Sequence, residues 1–293
     1  MNVKAKGLSL SDRIVRAVMF VIMTLVMCSY LFMFIWLFGN SFRSSADFLQ
    51  NTFKFLDFKN YTLDNWKTLF TVQIAGTKRN PVYITDTIFN TVFLVFVQVL
   101  LAVTIPAFTG YITSKYKAKI CTFIINMVII SMVVPSIGSL SVNYRLMTNL
   151  KLVDTYWCVI LMNAGGFGFG FLLFRNFFGA IPWEYAESAF LDGASDMQVF
   201  LKIMYPQALP ILSAIAINSF ISHWNDYYTA YIYLPNKPTI ALGVYQLYTK
   251  MNNQLLLPVA FAGMSLLAGV SLIIFGIFNK SIMNNFSIGG VKG

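Results

Sequence analysis

Long uncharged runs alternate with short polar segments along almost the whole chain. The first run extends from Ala17 to Ser41, between Arg16 and Arg43. The second lies between Asp86 and Lys115, the third between Lys119 and Arg145, and the fourth between Asp154 and Arg175. The fifth begins near Leu209 and fades around Leu234, with Asp226 inside it. The sixth runs from about Pro258 to Phe278 and stops at Lys280. A bilayer core takes about 20 apolar residues in a helix. The pattern therefore predicts an all-α, polytopic membrane protein with six transmembrane helices. The first run is too long for a signal-peptide core and has no small-residue cleavage site, so it is expected to be a retained signal anchor. Two segments depart from the rhythm of short loops. Residues 41–85, with Tyr61, Trp66 and several Phe, are expected to form a small folded cap; the other segment is residues 179–210.

Composition agrees with this picture. The chain has 293 residues, 57% hydrophobic and only 11% charged, against about 25% charged in a soluble domain. That excludes an ordinary soluble enzyme, a disordered protein and a disulfide-stapled secreted module. The net charge of +10 raises nucleic acid as a partner, but the 21 Lys and Arg are scattered between apolar runs and build no basic helix face. Loops beside anionic headgroups explain the charge, with membrane lipid rather than nucleic acid as the partner. Lys4, Lys6, Arg13 and Arg16 precede the first run, and the cluster Lys115-Tyr-Lys-Ala-Lys119 follows the second. Cationic loops stay in the cytoplasm. The expected layout is a cytoplasmic N-terminus at 1–16 and a transmembrane domain at 17–280, with an external loop at 41–85 and a cytoplasmic loop at 179–210. A cytoplasmic tail at 281–293 completes it. The expected location is the bacterial inner membrane, multi-pass, with both termini inside.

Chemistry-bearing motifs are scarce. Cys28, Cys121 and Cys158 lie in separate apolar runs, without ligand spacing, and read as small buried hydrophobes. The lone His223 cannot build a metal site. HExxH, GxSxG and GxxxxGK[ST] are all absent, so this chain is expected to carry no catalytic residue, metal or cofactor and to hydrolyse no nucleotide.

Residues 179–210 read GAIPWEYAESAFLDGASDMQVFLKIMYPQALP. Pro182 suits the first turn of a short helix. Trp183, Ala186 and Phe190 then share one face, with Glu184 and Glu187 directed elsewhere. Asp192-Gly193 ends that helix in a turn that glycine tolerates. Ser195 and Gln198 form a capping box for a second helix. Met197, Phe200, Leu201 and Met204 make its apolar stripe, and Pro206 and Pro210 stop it. Interfacial helices that rest on lipid favour Lys and Arg on the polar face. This hairpin offers Glu184, Glu187, Asp192 and Asp196 against Lys202, which suits a basic protein partner better than an anionic membrane. An interfacial hairpin that only packs on lipid remains the alternative.

Glu187-Ser188-Ala189, Gly193 and Ile203-Met204-Tyr205-Pro206 resemble the EAA loop of ABC-importer permeases: Glu-Ala-Ala, three residues, Gly, nine residues, Ile, any residue, Leu, Pro. The spacing holds, with Ser188 for the first Ala and Tyr205 for the Leu. Asp192-Gly193-Ala194-Ser195, Trp224-Asn225-Asp226 and the terminal Gly289-Gly290-Val291-Lys292-Gly293 resemble the carbohydrate (maltose-type) branch of these permeases. The resemblance covers the chain from about Thr85 onward. It implies a type I importer fold and a non-catalytic permease subunit. The implied partners are a second homologous permease, two cytoplasmic ATPase subunits carrying the ATP and magnesium, and an extracytoplasmic solute-binding protein. It further implies that Glu187, Ser188, Ala189, Asp192, Gly193, Ala194, Phe200, Met204 and Pro206 dock an ATPase subunit. Gly290 and Lys292 would reach the same interface.

Polar side chains inside a span are expensive unless they face a cavity or a partner. Asn218, Ser219, Ser222, Asn225, Asp226 and Thr229 fall mostly on one stripe of the fifth run. Asp226 lies about 25 Å past Leu209 at about 1.5 Å per residue, toward the outer side. Trp224, Tyr227 and Tyr228 lie beside it. Carboxamides with aromatics suit a sugar's hydroxyls and C–H faces, so Asn218, Ser222, Trp224, Asn225, Asp226 and Tyr227 are candidate pathway residues. Packing against neighbouring helices is the alternative. Asn163 of the fourth run joins them, with Asn126, Ser131, Ser136 and Ser139 of the third as weaker candidates. Gly166 and Gly170 form a GxxxG helix-packing pattern. The expected outer side carries more Lys and Arg than carboxylates (Asp47, Asp57, Asp64, Asp86, Asp154, Asp226), a bias toward an acidic, uronate- or alginate-type oligosaccharide. The other reading of the whole chain is an ion-coupled secondary transporter. It would need a buried relay and inverted repeats; Asp226 and His223 are the available groups, and no repeat is visible. A membrane-embedded enzyme would need catalytic polar groups at one depth, which the sequence does not offer.

Overall fold

The structure, a computed structural model, describes residues 10–77, 79–134, 137–249 and 256–286, with side chains to 278. Its elements are mostly helical: α1 (Leu10–Ser41), α2 (Ser45–Gln50), α3 (Asp64–Thr71), a two-residue hairpin β1 (Ala75–Gly76) and β2 (Pro81–Val82), α4 (Ile84–Lys115), α5 (Lys119–Val133), α6 (Ser139–Asn149), α7 (Tyr156–Asn163) and α8 (Phe169–Ala180). Then come α9 (Glu184–Leu191), α10 (Asp196–Val199), a π turn at Phe200–Met204, α11 (Tyr205–Gln207), α12 (Leu209–Trp224), α13 (Tyr228–Tyr233), α14 (Ile240–Thr249) and α15 (Leu257–Phe286).

Among the described residues, α1, α4 and Leu257–Phe278 of α15 are each long and apolar enough to cross a bilayer as single helices. A fourth candidate is the pair Asp196–Gln207 and Leu209–Trp224, bent by 75°. The third and fourth hydrophobic runs are interrupted. α5 ends at Val133, and α6 starts after Gly138, whose φ of 77° is left-handed. α7 and α8 are separated at Gly166 and Gly168, with φ of 58° and 158°. Hydropathy continues through such breaks because glycine interrupts the helix without adding charge. Gly166 and Gly170 thus do not share a helix face, which corrects the GxxxG expectation. Gly166 is instead a point of close approach: a Cβ there would meet Ile105 Cγ2 at 2.2 Å.

The chain packs as two units, Met1–Phe70 with Leu247–Ser265, and Thr71–Gln246 with Leu266–Gly293. In the first, the segment after α1 is folded, as expected of a cap. Buried Arg43 organises it, donating to Asn40 Oδ1 (3.1 Å), Asn51 O (2.7 Å) and Asp47 O (2.6 Å). Asn65 Nδ2 donates to Ser41 O and Arg43 O. Phe42 stacks with Tyr61 and with Trp66, ring centroids 5.7 Å apart in each pair. A buried guanidinium is tolerable because its hydrogen bonds and the Asp47 carboxylate, 4.0 Å away, replace water.

In the second unit α4 packs on α8, α12 and α7. Contact with α8 is tight at Gly110, where an added Cβ would lie 2.9 Å from both Arg175 N and Phe174 Cβ. One apolar cluster joins Val103, Ala107 and Tyr111 of α4 to Phe174 and Phe178 of α8 and to the 179–210 segment. Another joins Leu94, Met147, Cys158, Val159, Tyr233 and Leu234. Cys121 and Cys158 are buried as expected. Cys28 is exposed on α1, whose most apolar stretch has no buried residue.

Candidate functional site

The segment 179–210 folds as a hairpin. α9 begins at Glu184, two residues later than Pro182 suggested, with the Trp183 carbonyl accepting from Ala186 N and Glu187 N. It ends in a Schellman motif: Gly193 N donates to Phe190 O (3.0 Å) and Ala194 N to Ala189 O (2.9 Å). Gly193 has φ 82°, the left-handed conformation expected of it. The capping box is present, with Ser195 N donating to Gln198 Oε1 (2.9 Å) and Gln198 N to Ser195 Oγ (3.4 Å).

The apolar faces fill the chain's own core. Trp183, Ala186 and Phe190 pack inward as expected, and Ala189 is buried with them. In the second arm the buried positions are Val199, Phe200, Met204 and Ala208, while Met197 and Leu201 are exposed. Val199, at the end of α10, takes the inward place expected of Met197, and Phe200 and Met204 bracket the π turn on the same side. Phe200 sits among Tyr111 (5.0 Å between ring centroids), Phe108 (5.4 Å), Tyr205 (5.6 Å) and Phe178 (6.3 Å). This corrects the reading of Phe200 and Met204 as a docking face: both secure the hairpin to its own protein. Pro206 does not stop the arm either. It lies inside α11, and the 75° bend falls at Ala208.

The outward side retains Glu184, Glu187, Ser188, Asp192, Gly193, Asp196 and Pro206, all exposed, with Ala194 half-buried. At the tip Leu191 is 90% exposed. The sequence reading passed over it; an apolar residue off the 183/186/190 face and next to a turn was the available signal. It also missed a double latch at the end of α4. Lys115 Nζ donates to Ile181 O (2.5 Å) and lies 5.8 Å from the Trp183 ring. Tyr116 Oη donates to Asp196 Oδ1 (2.6 Å). Burial, reinforced by the Asp196 hydrogen bond, pushes the Tyr116 phenol far above its ordinary pKa, so it stays a donor at neutral pH.

The fifth run is shorter than expected. α12 ends at Trp224, and Asn225-Asp226-Tyr227 form a break before α13. Asp226 therefore lies in a turn, half-buried, with Oδ1 accepting from Thr229 N (3.0 Å). Trp224 is buried, stacked on Phe220 and donating to Leu267 O (3.2 Å). It packs rather than lines a path, which corrects its placement among the pathway candidates. Asn218, Ser222 and Asn225 are exposed at helical spacing, and Asn225 Nδ2 reaches Ser271 Oγ (3.1 Å). Tyr227 stacks on Tyr245 with centroids 4.3 Å apart. Asn163 bonds within its own helix, to Val159 O (2.9 Å). Asn126, Ser131 and Ser139 are exposed. Ser136, Gly290 and Lys292 lie outside the described residues.

The family model described as binding-protein-dependent transport system inner membrane component matches residues 86–287. The chain belongs to this family. Among curated relatives of this inner membrane component, the arabinooligosaccharides transport system permease protein AraQ of Halalkalibacterium halodurans is 30% identical over 256 residues. That match covers 86% of this chain and 88% of that protein. The maltodextrin transport system permease protein MdxG of Bacillus subtilis is 29% identical over 257 residues, 85% of this chain and 88% of that one. Protein LplC of Bacillus subtilis is 31% identical over 204 residues, 69% of this chain and 64% of that protein. A solved bacterial ABC transporter involved in the import of the acidic polysaccharide alginate has the same fold. Its TM-score is 0.74 over 94% of this chain and 99% of that one, at 23% identity. The inner membrane component is thus a multi-pass transport subunit rather than an enzyme, from a family whose permeases carry no cofactor of their own. Among its described residues no cluster of His, Cys, Asp and Glu could hold a metal ion.

Proposed function

We propose that this inner membrane component is one of two permease subunits of a type I ATP-driven importer for oligosaccharides. In this reading it has six spans, the two interrupted runs crossing as broken helices, and both termini lie in the cytoplasm (1–16 and 281–293). Residues 41–85 face outward and 179–210 inward. Partner ATPase subunits hold ATP and magnesium, and a solute-binding protein delivers the sugar. The observation that carries the reading is the hairpin's division of labour. Its apolar side is spent on its own core and Asp196 is held by Tyr116, while Glu184, Glu187 and Asp192, with Leu191 at the tip, stay free for a basic cleft. Closure of the ATPase pair moves the hairpin, and the Phe200 cluster and the Lys115 and Tyr116 latches pass that motion to α4 and α8. Exposed Asn218, Ser222 and Asn225, with Asp226 and Tyr227 next to them in sequence and Asn163 of α7, line the sugar's path. The oligosaccharide names of AraQ and MdxG support the substrate class. The alginate importer, together with the cationic outer loops, supports an acidic member of it. The relatives give the ion-coupled reading no support.

Reconstituted with its second permease, ATPases and binding protein, the complex should take up oligosaccharide only with ATP and binding protein both present. Uptake driven by a proton or sodium gradient without the ATPases would refute the proposal. Uronate oligomers should outcompete neutral ones; equal or reversed competition would remove the acidic specificity.

Gly193→Val should uncouple the cycle. A left-handed residue with a side chain costs roughly 1–2 kcal/mol, and a β-branched one more. No atom lies within 4 Å of the position of an added Cβ, so the penalty is conformational rather than a clash. Gly193→Asn, which tolerates the same conformation, should stay near wild type. The measurement is uptake per ATP hydrolysed, and equal coupling in the two variants would contradict the turn's role.

A further inference from the structure

The folded segment after α1 turns back along the helix instead of standing clear of it. Trp36 Nε1 donates to Thr52 O (3.0 Å), Phe55 packs edge-on to Phe32 with centroids 5.6 Å apart, and Phe55 O accepts from Tyr61 Oη. Gly39 permits this approach, since a Cβ there would lie 2.6 Å from Phe55 O. Measured from Ala17 at about 1.5 Å per residue, Phe32 lies about 22 Å and Trp36 about 28 Å along the apolar run. The hydrocarbon core is about 30 Å thick. The strip 51–58 is therefore held at the level where the core meets the headgroups, and it shows Phe53 73%, Phe58 72% and Leu56 56% exposed.

Irregular backbone cannot enter the hydrocarbon with unpaired polar groups, and part of this strip's backbone is paired within the protein, as suits the hydrated headgroup level. Here Phe53 N donates to Asn51 Oδ1, Lys54 N to Asn51 O, Phe58 N to Leu56 O and Asn60 N to Asp57 O. The carbonyls of Asn51, Thr52 and Phe55 are taken by Arg43, Trp36 and Tyr61. Lys54 is paired with Asp57 (2.9 Å), which offsets both charges within the strip. Phe55 turns inward while Phe53, Leu56 and Phe58 turn out, an arrangement costly against water and favourable against lipid.

We infer that residues 51–58 form an interfacial wedge whose outward Phe53, Leu56 and Phe58 insert between the lipids of the leaflet around the end of α1, anchoring the cap to the bilayer. The occupant is lipid rather than protein because the strip lies beside the apolar stretch of α1 that has no buried residue, at bilayer depth. The inference needs α1 to span the membrane and is independent of the docking and substrate readings.

The test places photoreactive benzoylphenylalanine at position 53 or 58 in the full chain, co-expressed with its partner subunits in native membranes, with Lys67 as the exposed control. Irradiation should give lipid adducts at 53 and 58, seen by mass spectrometry, and few at 67. Adducts to a polypeptide at 53 and 58, no adduct at either, or equal lipid labelling at 67 would each overturn the inference. Gly39→Ala, which pushes the Phe55 carbonyl off α1, should lower the lipid adduct at 53 severalfold; an unchanged yield would equally count against it. Two independent positions, each replacing an exposed phenylalanine with a larger one, keep the test from hanging on one variant's assembly.

Discussion

Glu187→Lys should abolish co-purification of the ATPase subunits and, with it, ATP-driven uptake, while the chain still inserts in the membrane. Glu187 is exposed on α9 and its carboxylate has no hydrogen bond or ion pair with any described residue, so the fold does not depend on its charge beyond the helix-dipole contribution of an acid in the first turn. Its carboxylate is available to a partner. Truncating one member of a close interfacial ion pair, or juxtaposing like charges, costs several kcal/mol, which is on the order of a hundredfold or more in affinity. Glu187→Gln keeps the shape and loses only the attraction, so it should fall between wild type and the reversal. Leu191→Asp should match the reversal, because an apolar tip entering a cleft cannot be replaced by a charge. Wild-type co-purification of Glu187→Lys, with uptake intact, would mean that the acidic side of the hairpin is not a docking face.

The hairpin was the most legible part of the chain because it follows soluble-protein rules. Gly193, the Ser195–Gln198 box and the inward Trp183, Ala186 and Phe190 were all readable from local pattern. Which apolar residues face the chain's own core, and which face a partner, was not readable. Phe200 and Leu201 have the same hydropathy signature, and only the packed fold separates them, one buried and one exposed. The six hydrophobic runs were plain, but their continuity was not. Helix breaks at Gly138 and Gly166 add no charge, so a broken run and a straight one have the same hydropathy. The latch of Lys115 and Tyr116 onto residues 181 and 196 joins positions far apart in sequence, and no local signal reports it. Trp224-Asn225-Asp226 drew attention as a group but divides in the fold into a packed indole, a carboxamide reaching Ser271 and a turn-capping carboxylate.

The same contrast between pattern and packing sets the largest expected loss of fold. Gly110→Leu should prevent accumulation of the folded chain, and Gly179→Ala should not. Both glycines lie in apolar surroundings, and hydropathy ranks them alike. At Gly110 α4 and α8 approach so closely that an added Cβ meets Arg175 N at 2.9 Å, Phe174 Cβ at 2.9 Å and Phe174 C at 3.2 Å. Two of those three atoms are backbone, so no rotamer change relieves the contact, and the helices must separate. Small residues are what permit close helix approach in membranes. Overpacking a tight site costs about 1–3 kcal/mol, and more where backbone must move. Separation here would also open the cluster of Tyr111, Phe174, Phe178 and Phe200 that seats the hairpin, so the damage reaches the proposed coupling surface. At Gly179 no atom lies within 4 Å of the added Cβ, and alanine there should match wild type. The check is the yield and thermal stability of detergent-extracted complex. A Gly110→Leu variant as stable as the parent would show that α4 and α8 do not meet as described, and would remove the structural path from the hairpin to the spans.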